Sequence, residues 1–257
     1  MTNIDSVNSI DPIKTDLINH LVVSRKYTRY LEFCTANTGF CYSKINRDNL
    51  DISHRMLYRC PSDFEDGLPI DFRTDKLEIA EQINKVKQNG IKYDIILSDP
   101  WHEYETSYRD IEVCFDLLKP GGVLVVHDCF PPSSEIVGYT AKEGSWCGVT
   151  YKAYIDFVIN RSRELKYYTV NIDYGCGLIF KREKVLPKWI YFPRKVLIDL
   201  MLSLKNARYR KLMKVISKWQ NIGYKDPELY KFFKENYWDL LNLRPYSYFL
   251  ESEKVIS

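Results

Sequence analysis

Residues 93–128 read YDIILSDPWHEYETSYRDIEVCFDLLKPGGVLVVHD, and two runs inside this stretch decide the fold. YDIILS (93–98) and VLVV (123–126) are continuous apolar segments of strand length, bounded by polar or turn residues. Between them, 106–118 has helical spacing and Lys119-Pro120-Gly121-Gly122 reads as a turn. Strands that are apolar throughout and separated by a helix predict a parallel sheet covered on both faces. In such sheets the crossovers are right-handed, and ligands bind at the carboxyl ends of the strands.

The same alternation extends outward. Toward the N-terminus, 12–26 has helical spacing with Pro12 suited to a first turn, YLEFCT (30–35) reads as a strand broken by Asn37-Thr38-Gly39, and 40–46 as a short helix. MLYRC (56–60) is a second strand ended by Pro61, 70–73 a short third, and 76–88 a helix that Gly90 ends. Toward the C-terminus a helix over 149–163 precedes strands at 167–172 and 177–180, whose tight turn at Asp173-Tyr174-Gly175 makes the last strand antiparallel. From Leu186 the pattern is helical to about Leu241, interrupted by Pro193, Gly223 and Pro227. The predicted fold is therefore α/β, a Rossmann-like, mostly parallel sheet with an antiparallel last strand and helices on both faces. It divides into a body over 1–182 and a helical extension over 183–257.

The 257 residues, 45% hydrophobic and 28% charged, exclude a disordered or collagen-like chain. No apolar run is long enough to span a bilayer, and the N-terminus has neither a basic nor an apolar leader region, so a cytoplasmic protein is expected. Seven cysteines without CxxC spacing suggest neither a disulfide framework nor a zinc site. The net charge of +3 hides a division. Residues 183–257 hold 15 Lys+Arg against 8 Asp+Glu, and the body holds 22 against 26. For the basic extension three readings stay open: packing on the body or on a second subunit, help in holding an anionic acceptor, and contact with a membrane surface or nucleic acid.

At the predicted strand ends stand Glu32 to Gly39, Cys60 to Asp63, Asp75, then Asp99-Pro100-Trp101-His102 and His127-Asp128. Single polar residues there are commonly caps, but two His-Asp pairs on neighbouring parallel strands point to a site. His20 and His54, on a helix and before a strand, read as structural.

Residues 12–182 resemble class I S-adenosylmethionine-dependent methyltransferases, most closely a bacterial subgroup tied to surface glycans and secondary metabolites. LEFCTANTG (31–39) stands in place of the acidic, glycine-rich first loop, DPWHEYE (99–105) in place of D-x-x-H-x-Y-E, and LLKPGGVLVVHD (117–128), WCGVTYK (146–152) and DYGCG (173–177) also match. The resemblance implies that Glu32, Thr35, Ala36, Asn37, Thr38, Gly39, Asp63, Asp75, Asp99 and Trp101 bind the cofactor. It departs from the family at Cys34 and Ala36, where glycines are frequent, at Cys60-Pro61, where the second strand usually ends in a ribose-binding acid that Asp63 could replace, and at Val149.

The implied chemistry is O-methylation of a small polar acceptor, such as a surface-glycan precursor or a nucleotide-linked or phosphorylated sugar. His102 is the expected base, Asp99 either binds the cofactor's ammonium or orients that histidine, and His127 and Asp128 approach the acceptor. Asp99 and Asp128 could also carry Mg²⁺. The alternatives are a nucleic-acid methyltransferase or binding protein using the basic extension, a non-catalytic scaffold of the same fold, and a nicotinamide-dependent dehydrogenase, which the missing G-x-G-x-x-G disfavours. The DPW at 99–101 is similar to the loop of enzymes that methylate base amino groups, but HEYE (102–105) matches the first subgroup better.

Overall fold

The computed structural model describes residues 11–36, 41–185 and 207–254, the side chains of 207–209 excepted. In chain order the elements are α1 (Lys14–Arg25), β1 (Arg29–Thr35), α2 (Cys41–Lys44), β2 (Ile52–Tyr58), β3 (Phe72–Arg73), α3 (Ala80–Gln88), β4 (Tyr93–Asp99), α4 (Tyr104–Leu117), β5 (Leu118–Val126), α5 (Thr150–Asn160), β6 (Leu165–Val170), β7 (Cys176–Lys181), α6 (Ala207–Asn221), α7 (Leu229–Leu241), β8 (Leu243–Arg244) and α8 (Tyr246–Ser252). They build one sheet of order β3-β2-β1-β4-β5-β7-β6-β8. Strands β1 to β5 are parallel neighbours, while β7 runs antiparallel to both β5 and β6. The Rossmann-like arrangement with an antiparallel insertion at β7 is thus the one the sequence predicts.

Alternation along the strands feeds two cores, as the two-residue period of a pleated sheet requires. Leu31, Phe33, Ile96, Leu124, Val126 and Ile179 pack with α3, α4 and α5, whereas Tyr30, Cys34, Ile95, Leu97, Val123 and Leu178 pack with α1 and α2. Both halves of the crossover are apolar, which explains why β4 and β5 lack the polar alternation of a half-exposed strand. Some boundaries differ from expectation. β2 begins four residues early and stops at Tyr58, because Cys60 turns away and bonds the backbone of Thr74 at 2.9 Å. The Lys119–Gly122 turn is drawn into the start of β5.

The segment from 207 onward is built into the same cores. α6 and α7 bring Trp219, Phe233 and Leu241 to the α5 face, and α8 brings Phe249 to the α1 face, all fully buried. β8, a strand the sequence does not announce, adds to the sheet edge parallel to β6. A buried polar node fastens α6: Lys152 Nζ donates to Asp156 Oδ1 at 2.8 Å and to the Trp219 carbonyl at 3.2 Å, while the Trp219 indole donates to the same Asp156 oxygen at 2.8 Å. On the other face Arg25 grips Glu253 at 2.6 and 2.9 Å, and His20 contacts the Glu253 carbonyl at 2.8 Å. Arg210, Lys211, Lys214 and Lys218 are exposed on α6, whose Val215 and Trp219 are buried. Lys205 and the apolar stretch over 189–204 lie outside the described residues. No described helix is long and apolar enough to cross a membrane.

Candidate active site

β4 and β5 are adjacent and parallel, and each ends in an acid next to a histidine. Asp99 is the last residue of β4, lying opposite Cys34 of β1, and His102 follows in the turn before α4. His127 leaves β5 by donating its backbone N–H to Ser98, and Asp128 follows in the left-handed region at φ 62°. That conformation is uncommon outside glycine and signals a locally imposed geometry. Here it turns the Asp128 carboxylate back toward His102: His102 Nε2 is 3.0 Å from Asp128 Oδ2 and 3.6 Å from Asp99 Oδ1. His127 Nδ1 lies 3.4 Å from Asp99 Oδ1 and 3.5 Å from Asp128 Oδ2. The four residues singled out at the strand ends thus form one cluster, and Asp99 and Asp128 are almost wholly buried.

Two further members come from far along the chain. Lys14, the first residue of α1, places Nζ 2.8 Å from Asp99 Oδ2 and 3.3 Å from His127 Nδ1. Asp173, in the β6–β7 turn, sets Oδ1 3.4 Å from His127 Nε2, and its Oδ2 accepts the Lys14 backbone N–H at 3.0 Å. Asp173 and Tyr174 are consecutive non-glycine residues with positive φ, 45° and 59°. Neither Lys14 nor Asp173 was given a site role by the sequence reading. Asp173 does fall inside the quoted DYGCG run, whereas Lys14 belongs to no motif.

The WCGVTYK run acquires a physical meaning. The Trp146 carbonyl accepts a short hydrogen bond from His102 Nδ1, and the Cys147 thiol donates to Asp128 Oδ1 at 3.2 Å. Gly148, at φ +55°, lies so close to His102 that an added Cβ would fall 2.2 Å from its carbonyl oxygen. Val149 donates its backbone N–H to that oxygen at 2.9 Å. Tyr151 packs on Phe233 at 4.6 Å, and Lys152 anchors the Trp219 node. One short motif therefore orients the histidine and fastens the extension.

Three carboxylates face three basic groups, and the protonation states follow. Burial disfavours the charged form of every member, yet the mutual charges prevail. Burial raises Asp99, but Lys14 and His127 hold it well below the usual carboxylate range. Asp128 is likewise lowered against its burial by His127 and His102. Burial lowers His102, but hydrogen bonding to the carboxylates of Asp128 and Asp99, with their charges, pushes it up to about 9. His127 is raised in the same way by Asp128 and Asp99. Both oxygens of Asp99 are engaged, Oδ2 by Lys14 and Oδ1 by the imidazoles. Of its two expected roles, orienting the histidines is the one these contacts support.

The other expected residues lie apart from this cluster. Glu32 is buried within β1 and paired with Arg55 at 3.4 Å, burial pushing its carboxyl up to about 7 against the Arg55 charge. Thr35 and Ala36 are buried at the end of β1, and Asn37, Thr38 and Gly39 lie outside the described residues. Asp63 and Asp75 are exposed in loops. Trp101 is half-buried, with the Arg59 guanidinium 3.7 Å above its ring and its indole Nε1 buried without a hydrogen-bond partner among the described residues. His20 and His54 make structural contacts, His54 Nδ1 with the Tyr93 hydroxyl at 2.8 Å. All seven cysteines are free and buried.

Asp99, His102 and Asp128 offer ligand atoms within 4.8 Å of one another, the spacing of a metal site. A cavity of about 520 Å³ opens beside Asp173, bounded by Asp11, Phe130, Tyr174 and, from the extension, Tyr246. No lysine or arginine lines it among the described residues.

Residues 61–129, which include both His-Asp pairs, match the model of a family described as a methyltransferase domain. Among solved structures the chain is similar to an O-methyltransferase from Bacillus cereus in complex with SAH, with 12% identity, a TM-score of 0.48, and 68% of this chain and 84% of that one covered. It is similar also to the O-methyltransferase TomG from Streptomyces achromogenes, involved in tomaymycin synthesis and solved with SAM, with 14% identity, a TM-score of 0.46, and 65% and 78% covered. No curated protein matches the chain.

Proposed function

We propose that the chain is an S-adenosylmethionine-dependent methyltransferase that methylates a hydroxyl oxygen of a small polar acceptor. The observation that carries this reading is the convergence of Asp99, His102, His127 and Asp128 at the carboxyl ends of adjacent parallel strands, inside the span that matches a methyltransferase domain.

The residues beside the cluster fit the cofactor. Thr35 and Ala36 are small and buried where β1 gives way to the first loop, leaving room for close approach. The Trp101 indole N–H, without a partner among the described residues and under the Arg59 guanidinium, offers a buried donor and an aromatic face suited to a heteroaromatic base. Trp101, Thr35 and Ala36 would hold it, with Asp63 within the loop after β2 and, from outside the described residues, Asn37, Thr38 and Gly39. When bound, S-adenosylmethionine supplies a methyl group on a positively charged sulfur to an acceptor oxygen. His102, in its neutral form, takes the acceptor's hydroxyl proton at Nε2. The carboxylates of Asp128 and Asp99 then stabilise the resulting imidazolium, and the Trp146 carbonyl keeps the ring from rotating.

The acceptor occupies the cavity beside Asp173. Its carboxylates and aromatic rings favour an uncharged, hydroxylated, partly apolar molecule over a phosphorylated one, because a phosphate there would meet Asp11 and Asp173 and, among the described residues, no cation. Neutral glycosides therefore rank above nucleotide-linked sugars. The free, buried cysteines support action in a reducing compartment. The test is methyl incorporation from labelled cofactor into a panel of neutral glycosides, polyols, phenols and sugar phosphates. The reading predicts label on neutral hydroxyl compounds and its loss, by about two to four orders of magnitude, in His102→Ala. Label on RNA or DNA instead would replace it with the nucleic-acid alternative.

A further inference from the structure

The strand-end carboxylates have the spacing of a metal site, but the cation beside them is already supplied by the chain. Lys14 Nζ lies 2.8 Å from Asp99 Oδ2 and its side chain is 13% exposed, with the Asp99 side chain at 2%. Its position is fixed from two directions. The ammonium rests on Asp99, and the backbone N–H of the same residue is held by Asp173 at 3.0 Å, so the start of α1 is tied to the centre through both ends of one residue. Ile13 adds a capping contact, its N–H donating to Asp16 at 2.9 Å, which fixes the first turn from which Lys14 projects.

Geometry favours the lysine over a divalent ion. Lys14 already sets one positive charge on Asp99, its Nζ 2.8 Å from Oδ2. A divalent cation seated between Asp99, His102 and Asp128 would add two more charges. It would also sit against the ammonium of Lys14, which already occupies Asp99 Oδ2. The donor set is also poor for Mg²⁺, which prefers an oxygen shell and keeps several waters. The residues present therefore do not fit the Mg²⁺ that the sequence left open.

We propose that Lys14 is the resident cation of this centre, a positioning residue whose ammonium takes the place of a divalent metal on Asp99, so that transfer proceeds without a metal ion. Only the word transfer rests on the methyltransferase reading; the competition between Lys14 and a divalent cation stands independently of it.

Electron paramagnetic resonance of Mn²⁺, titrated into the full chain, tests the proposal without any turnover. Wild type and Lys14→Arg are expected to leave the free-ion signal unchanged. Lys14→Met is expected to bind one Mn²⁺ about 10–100-fold more tightly than wild type, and Lys14→Met combined with Asp128→Asn to lose that binding. Wild-type binding as tight as that of Lys14→Met overturns the proposal, as does a folded Lys14→Met that binds no Mn²⁺. Should Lys14→Met fail to fold, the wild type decides alone: Mn²⁺ binding that Asp128→Asn abolishes overturns the proposal, and the absence of Mn²⁺ binding upholds it. Failure of the methyltransferase reading would instead appear as absent cofactor binding, leaving the Mn²⁺ result intact.

Discussion

His102 is held as an imidazolium at rest, with Nδ1 on the Trp146 carbonyl and Nε2 on Asp128. With its pKa pushed up to about 9, it must first lose that proton to act as a base. The sign is therefore fixed: kcat/KM should rise by roughly tenfold per pH unit from neutrality and level off near pH 9. A profile flat over that interval would remove His102 as the base. The placement of this residue was legible in the sequence, because a histidine three positions after a strand-end aspartate is carried back toward it. Its protonation state was not, since that depends on Asp128 and on a carbonyl in a loop 44 residues away. Lys14 was illegible for the same reason, its site contacts lying 85, 113 and 159 residues distant. A lone lysine at a helix start has no pattern by which to be noticed.

The element that governs the site is the short connection leading into α5. Gly148 occupies a backbone conformation that favours glycine, directly against the His102 carbonyl, and the adjacent Cys147 and Val149 bond Asp128 and His102. Gly148→Ala combines left-handed strain with a clash against backbone, which cannot swing aside as a flexible side chain could. The substitution should cost about 1–3 kcal/mol or more, and it should lower turnover disproportionately because His102 moves with it. Thermal unfolding beside kcat/KM measures both, and an alanine variant with unchanged stability and rate would show that the contact is not needed. β4 and β5 were legible as elements because buried parallel strands are continuously apolar. β2 was misjudged at both ends because its first residues, Ile52 to His54, are only partly buried and are followed by the charged Arg55, and because Cys60 is apolar yet outside the sheet.

At the scale of the molecule, the basic segment from 183 was legible as a change in composition, and its described part is woven into both cores of the body. Two-residue β8 carries no periodicity and could not be read. The apolar faces of α6 and α7 could be read, but not their partners. Phe233 marks the join: it is fully buried and packs on Tyr151 at 4.6 Å, with Trp219 and Phe130 near 6 Å. Phe233→Ala should destabilise the whole chain by about 3–5 kcal/mol, lowering the melting temperature by on the order of 10 °C in a single transition. A separate low-temperature transition would mean that the extension unfolds on its own. The extension also reaches the acceptor side, through Tyr246 beside the cavity next to Asp173.

The methyl transfer proposed for the site depends on the cofactor that binds the chain. Isothermal titration of the full chain with S-adenosylmethionine, beside an oxidised nicotinamide dinucleotide as control, addresses this without knowledge of the acceptor. Saturable one-to-one binding of S-adenosylmethionine, weakened in Trp101→Ala, with no heat from the dinucleotide, is the predicted result. Binding of the dinucleotide alone, or of neither ligand, would contradict it.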